Sequence, residues 1–223
     1  MATKSEVLLR ISTVGLLPVL RAQSEDEAIR VAEAIIAGGV DVLELTMTVP
    51  GALNVMRRLK RERPDLLLGA GTVLDPETAR ICILEGAEFI VSPALHVQTI
   101  ELCQRYSVAA LPGALTPTEI LAAWQAGADV VKVFPANAMG GASYLRSLSG
   151  PFPQIALLPT GGVSGTTALA FLEAGAFALG VGADLVDLEA IRAGHGRRIT
   201  QKAAEYVRIV REYQRGSLPA AAQ

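Results

Sequence analysis

The segments AGGVDVLEL (37–45), EGAEFIVSP (85–93), AGADVVKVF (126–134) and AGAFALGVG (174–182) are four versions of one phrase: a helix end, a tight glycine turn and an apolar strand. They recur roughly every 40 to 50 residues, about two strand–helix units apart, so every second strand is written on one template. Further runs rich in Val, Ile and Leu complete eight strand segments, at 16–20, 40–46, 66–69, 89–92, 109–111, 130–134, 156–159 and 178–181. These runs are largely apolar on both faces, as in a parallel sheet covered by helices; an antiparallel sheet with one wet face would alternate apolar and polar residues. Amphipathic stretches separate them, which is the pattern of repeated βα units. Eight units with a two-unit period fit an α/β fold closed as a (β/α)8 TIM barrel better than an open doubly wound sheet.

Capping chemistry marks the helix starts. Ser24 with Glu27 and Thr116 with Glu119 have capping-box spacing, and Pro76 after Asp75 and Pro117 after Thr116 occupy first helical positions. Gly38, Gly86, Gly127 and Gly175 stand where a left-handed C-cap is needed. An extra N-terminal helix around 5–11 and a final helix around 199–215 lie outside the barrel, and residues 215–223 read as a flexible tail. No linker-like change of composition interrupts the chain, so 1–223 reads as one domain with its core at about 14–214.

The 223 residues are 51% hydrophobic and 19% charged, which suits a globular protein with a large core and excludes a mainly disordered one. A formal net charge of -2 without a basic stripe argues against nucleic acid as a partner. Cys82 and Cys103 form no CxxC motif, and His96 and His195 are too few for a histidine-rich centre, so no metal is expected. Arg10 breaks the apolar run at the N-terminus before a signal sequence can form, and no apolar stretch reaches membrane-spanning length. The expectation is a cytoplasmic protein without a membrane partner.

Charges inside apolar strands are the informative residues. Lys132 interrupts VVKVF and Glu44 interrupts VLELT, where desolvation penalises a charge that lacks a partner. If both point inward near strand C-terminal ends, they meet at the mouth where barrel enzymes do chemistry. A buried structural ion pair is the plainer alternative, but well-packed apolar residues often replace such a pair without loss. A lysine in apolar surroundings loses its proton more readily, and the neutral amine attacks a ketone to form a Schiff base. Glu44 is then the natural general base. Arg21 follows the first strand and suits a bidentate grip on a carboxylate, though a surface arginine is an equal reading. Gly69-Ala70-Gly71-Thr72 brings backbone and a hydroxyl close to a ligand, or forms a tight turn with an N-cap. Thr160-Gly161-Gly162 and Gly180-Val181-Gly182 follow the last two strands, where phosphate-binding barrels present backbone N–H groups. Both cysteines read as core, and His96 as a local cap or surface residue.

In order along the chain stand VLRAQSEDEA (19–28), LELTMTVPGA (43–52), GAGTVLD (69–75), FIVSPAL (89–95), PGALTPTE (112–119), VKVFPA (131–136) and LPTGGVS (158–164). With these motifs the sequence resembles the 2-keto-3-deoxy-6-phosphogluconate aldolase family, which includes 4-hydroxy-2-oxoglutarate aldolases, from about Val14 to Val186. The resemblance implies a class I lyase of carbohydrate metabolism, the Entner–Doudoroff pathway in particular, without metal or cofactor. Such an enzyme reversibly cleaves a 2-keto-4-hydroxy acid to pyruvate and an aldehyde, glyceraldehyde 3-phosphate or glyoxylate. It further implies Lys132 as the Schiff-base lysine, Glu44 as the acid/base, Thr72 as a pyruvate-binding residue, Pro93 and Phe134 as walls around the imine, Thr160-Gly161-Gly162 as the phosphate side, and a homotrimer. Threonine at 160 resembles the members that take the gluconate-type rather than the galactonate-type substrate. Two positions depart from the pattern. Thr48 stands where some members have a carboxylate-binding arginine, a role that passes to Arg21, and Ala183 stands where many have a phosphate-binding serine. The lost hydroxyl and the neighbouring Asp184 weaken the expected preference for a phosphorylated acid and favour a shorter one such as 4-hydroxy-2-oxoglutarate. A phosphosugar isomerase, epimerase or synthase on a related barrel, and a non-catalytic phosphosugar-binding protein, are the competing readings.

Overall fold

Short apolar strands returned by helices leave each strand parallel to the one before it, and the ring closes when the last pairs with the first. The structure is a computed structural model that describes residues 2–217. Its strands are β1 (Leu16–Leu20), β2 (Val42–Thr46), β3 (Leu67–Gly71), β4 (Phe89–Val91), β5 (Ala109–Leu111), β6 (Gly113–Ala114), β7 (Val131–Val133), β8 (Leu157–Pro159) and β9 (Leu179–Val181). The strand order is β5-β4-β3-β2-β1-β9 in one sheet and β6-β7-β8 in the other, every pairing parallel. β5 and β6 are one barrel strand broken at Pro112, which has no N–H to give a ladder. Across the other seam Thr160 bridges Gly180, and the Phe177 N–H donates to the Leu157 carbonyl at 2.8 Å. The two sheets thus form one closed barrel.

Around it run α1 (Lys4–Val14), α2 (Glu25–Ala37), α3 (Ala52–Glu62), α4 (Pro76–Leu84), α5 (Val97–Arg105), α6 (Pro117–Gln125), α7 (Ala142–Ser149), α8 (Ala168–Glu173), α9 (Leu188–Arg192) and α10 (Arg197–Ser217). The apolar interior has two parts. One fills the shell between strands and helices; the other fills the lower half of the barrel, where Val7 and Ile11 of α1 pack with Leu17, Val42, Leu67, Phe89, Val130 and Leu158. α1 therefore closes the N-terminal end of the barrel, a more specific place than merely outside it. No helix among the described residues is long and apolar enough to cross a membrane.

Several boundaries differ from the sequence reading. β3 starts one residue later than expected and extends to Gly71, and α1 begins at Lys4 under a Thr3–Glu6 capping box. α10 continues to Ser217, so the expected tail from 215 begins inside a helix, and its remainder at 218–223 lies outside the described residues. Thr116 and Glu119 form the expected capping box, and Asp75 caps α4 ahead of Pro76. Ser24 accepts the Glu27 N–H, but the Glu27 carboxylate returns to the Gln23 N–H, one residue before the usual partner. Gly86, Gly127 and Gly175 are left-handed as expected, whereas in the first repeat the left-handed residue is Gly39, not Gly38. Gly38 is small for a different reason: a Cβ there would run into Ala203 and the Thr200 carbonyl of α10.

Candidate active site

Alternate side chains of a strand share a face, so Val42 lies on the same side of β2 as Glu44, and Val130 on the same side as Lys132. Val42 and Val130 belong to the apolar floor of the barrel. One step further toward the C-terminal ends, Lys132 and Glu44 meet across the interior, Nζ to Oε1 at 3.7 Å, with side chains 6% and 1% exposed. Small residues make this level possible. A Cβ at Gly71 would overlap the Glu44 carboxyl, and one at Gly180 would overlap Thr160 Oγ1. Phe134 closes over the lysine, its ring centroid 5.4 Å from Nζ.

The polar atoms at this level are left open. Neither oxygen of Glu44 nor Thr160 Oγ1 has a hydrogen-bond partner among the described residues, although all three are buried. Buried polar groups are nearly always satisfied, so three orphans at one level mark a place prepared for another molecule. Burial, the largest influence, pushes the Glu44 carboxyl above its ordinary range, with Lys132 and Arg21 pulling in the opposite direction. Strongly desolvated ionisable groups beside a cavity are a signature of functional sites.

Above the pair opens a cavity of about 520 Å³ at the C-terminal mouth. Arg21, Lys132, Phe134, Thr160, Gly161, Gly162, Gly180 and Gly182 all line it. Gly161 and Gly162 are consecutive left-handed residues with φ of 92° and 76°, a conformation that favours glycine. The N–H groups of Gly162, Gly182 and Ala183 donate to no acceptor among the described residues. The sequence reading missed Val19 and Ser164, which also line the cavity. Asp184 is there too, but its carboxylate accepts from the Tyr206 hydroxyl at 2.7 Å and pairs with Lys202 at 3.2 Å, so its charge is balanced within the protein. Thr72 and Pro93 are not brought into this lining. Thr72 is half-buried at the end of β3 with φ 55°, left-handed in a residue with a side chain. Pro93 is half-buried after β4, its backbone pressed against Gly113. Thr48 is occupied by a 2.9 Å hydrogen bond with Thr46, His96 is the N-cap residue of α5 with its ring on Thr99, and both cysteines are buried. A second cavity of similar size, between α3 and α4, is lined by residues such as Met47, Leu53 and Ile81 and holds no buried ion pair.

A family model described as "KDPG and KHG aldolase" matches residues 7–202. The chain belongs to the KDPG and KHG aldolase family. It is 41% identical over 149 residues, 67% of this chain and 68% of the relative, to a 2-dehydro-3-deoxy-phosphogluconate aldolase of Pseudomonas aeruginosa. It is 34% identical over 205 residues, 92% of this chain and 95% of the relative, to the KHG/KDPG aldolase of Escherichia coli. Among solved structures, a KDPG aldolase from Legionella pneumophila with pyruvate captured as a covalent carbinolamine superposes with TM-score 0.82 at 31% identity, covering 89% of this chain and 96% of that one. A 3-hexulose-6-phosphate synthase from Salmonella typhimurium, 17% identical with TM-score 0.73 over 89% of this chain and 99% of that one, shares the fold alone.

Proposed function

We propose that this member of the family is a class I aldolase that cleaves 2-dehydro-3-deoxy-6-phosphogluconate, 4-hydroxy-2-oxoglutarate or both to pyruvate and an aldehyde, with Lys132 as the Schiff-base residue and Glu44 as the acid/base. The observation that carries the reading is the buried Lys132–Glu44 contact beneath the cavity, with neither carboxylate oxygen hydrogen-bonded among the described residues. The neutral Lys132 amine attacks C2 of the keto acid to give a carbinolamine, which loses water to become an imine. Glu44 takes the proton of the C4 hydroxyl; the C3–C4 bond breaks, its electrons pass into the imine as an enamine, and the aldehyde leaves. Protonation at C3 and hydrolysis release pyruvate and restore the amine. A carboxyl whose proton affinity is raised by burial is suited to giving and taking these protons, a role typically worth ~10²- to 10⁴-fold in rate.

Arg21 supplies the grip on the substrate carboxylate, since it lines the same cavity and its charge acts on Glu44. Thr160 addresses the C4 end; the family resemblance supports Thr72 as a pyruvate contact and Pro93 as a wall around the imine, although neither lines the cavity in this structure. The distal end of a phosphorylated acid is received by the backbone N–H groups of the two glycine loops, and Ala183 adds no hydroxyl to them. The assembly in this reading is a homotrimer in the cytoplasm. Its support is the family resemblance and the likeness, with TM-score 0.81 at 31% identity over 91% of this chain and 74% of that one, to a designed cage made by fusing symmetric oligomeric domains. Incubation with pyruvate, borohydride reduction and peptide mass spectrometry test the mechanism. A reduced pyruvate adduct on Lys132, absent in Lys132→Ala, is expected; no adduct on the folded protein overturns the mechanism.

A further inference from the structure

Arg21 is exposed at the mouth, and among the described residues no hydrogen bond or ion pair fixes its guanidinium. Its aim is therefore set by the backbone that carries it. That backbone is fastened at two points. Just before it, Thr46 Oγ1 donates to the Leu20 carbonyl at 2.9 Å. Just after it, the Gln23 N–H donates to Glu27 Oε2 at 2.6 Å. Glu27 is only 4% exposed, and its other oxygen accepts from Arg192 Nε at 2.8 Å. Arg192 ends α9, the helix that follows the Gly182–Asp184 edge of the cavity, and nearby Arg30 of α2 reaches the Ile191 carbonyl at 3.3 Å. A glutamate serving only its own helix would return to the Ser24 N–H. Here the carboxylate is spent one residue closer to Arg21 and is braced by a guanidinium from the adjacent unit of the barrel, since β9 pairs with β1.

We propose that Glu27 is a positioning residue for substrate binding: it clamps the segment Arg21-Ala22-Gln23 so that Arg21 meets the substrate carboxylate, and it ties that segment to α9. The proposal rests on the reading of Arg21 as the carboxylate grip. A small misplacement of a positioning group is enough to weaken binding markedly while the reacting groups stay in place.

Steady-state kinetics with the keto acid, and borohydride trapping titrated with pyruvate, test it in the full-length protein. Glu27→Ala is expected to raise KM, and the pyruvate concentration for half-maximal trapping, about tenfold with kcat little changed. Glu27→Gln keeps an acceptor for the Gln23 N–H and loses only the charge toward Arg192, so it is expected to recover most of that loss. In a double-mutant cycle Glu27→Ala adds little once Arg21 is already Ala, because the two act through one contact. Unchanged KM in both Glu27 variants, with only a lower Tm, overturns the positioning role; so do losses that add fully in the double variant. If Arg21→Ala itself leaves KM and trapping unchanged, the carboxylate-grip reading fails and this proposal with it, an outcome distinct from one in which Arg21 matters and Glu27 does not.

Discussion

Gly71 determines where Glu44 can be. Its missing side chain is the space the carboxyl fills, so Gly71→Ala is expected to displace the Glu44 carboxyl, the proposed acid/base, rather than unfold the barrel. Overpacking of this kind costs about 1–3 kcal/mol, and loss of a placed proton-transfer group about 10²-fold or more in turnover. Thermal unfolding and steady-state rates of the same variant check both. The raised Glu44 carboxyl has its own signature, caused first by burial and limited by Lys132 and Arg21. Its folded state holds the proton to higher pH than the unfolded chain does, so it lowers stability as pH rises from the ordinary carboxyl value of 4.5 through the raised one. Over the same window the base form accumulates and the cleavage step accelerates. Single-turnover rates against pH, with Glu44→Gln lacking the limb, check this. Lys132 and Glu44 were legible in the sequence because a charge inside an apolar run has few bland explanations. Gly71 was legible only as a turn or ligand-contact glycine, since its reason lies across the sheet on a neighbouring strand and depends on register.

At the scale of elements, the repeated phrase located four strands and their turns, but not which of two adjacent glycines takes the left-handed turn. In Gly38-Gly39 that choice falls to packing against α10, a contact with the far end of the chain. The split of the fifth barrel strand at Pro112 was hidden for the opposite reason: its second piece, Gly113–Ala114, is too short to carry a periodic signal. α1 was legible as a helix, but an apolar stripe says that a face is buried and not against what. Its destination is the bottom of the barrel, where Ile11 is fully buried. Ile11→Ala is expected to cost about 2–5 kcal/mol in denaturant unfolding, as truncation of a large core side chain does, while pyruvate trapping on the folded protein is retained. A loss of trapping at unchanged stability would mean that α1 shapes the chemistry directly.

For the whole molecule, the eight-unit count and the two-unit period pointed to a ring, while the seam itself is held by the Thr160–Gly180 bridge and could be seen only in three dimensions. Function was legible at the same scale, because the ordered motifs carry the family even where Thr48 and Ala183 depart from its pattern. The plug made by Val7 and Ile11 has a kinetic consequence. With the far end stoppered, traffic is in and back out through a single doorway, and on the proposed mechanism the pyruvate carbons are fastened to Lys132 at its base. The aldehyde must clear the doorway before pyruvate departs, and a new substrate finds its place only after both have gone. Such a sequence makes pyruvate a competitor of the substrate for the empty enzyme, while the aldehyde acts back on the pyruvate-loaded form.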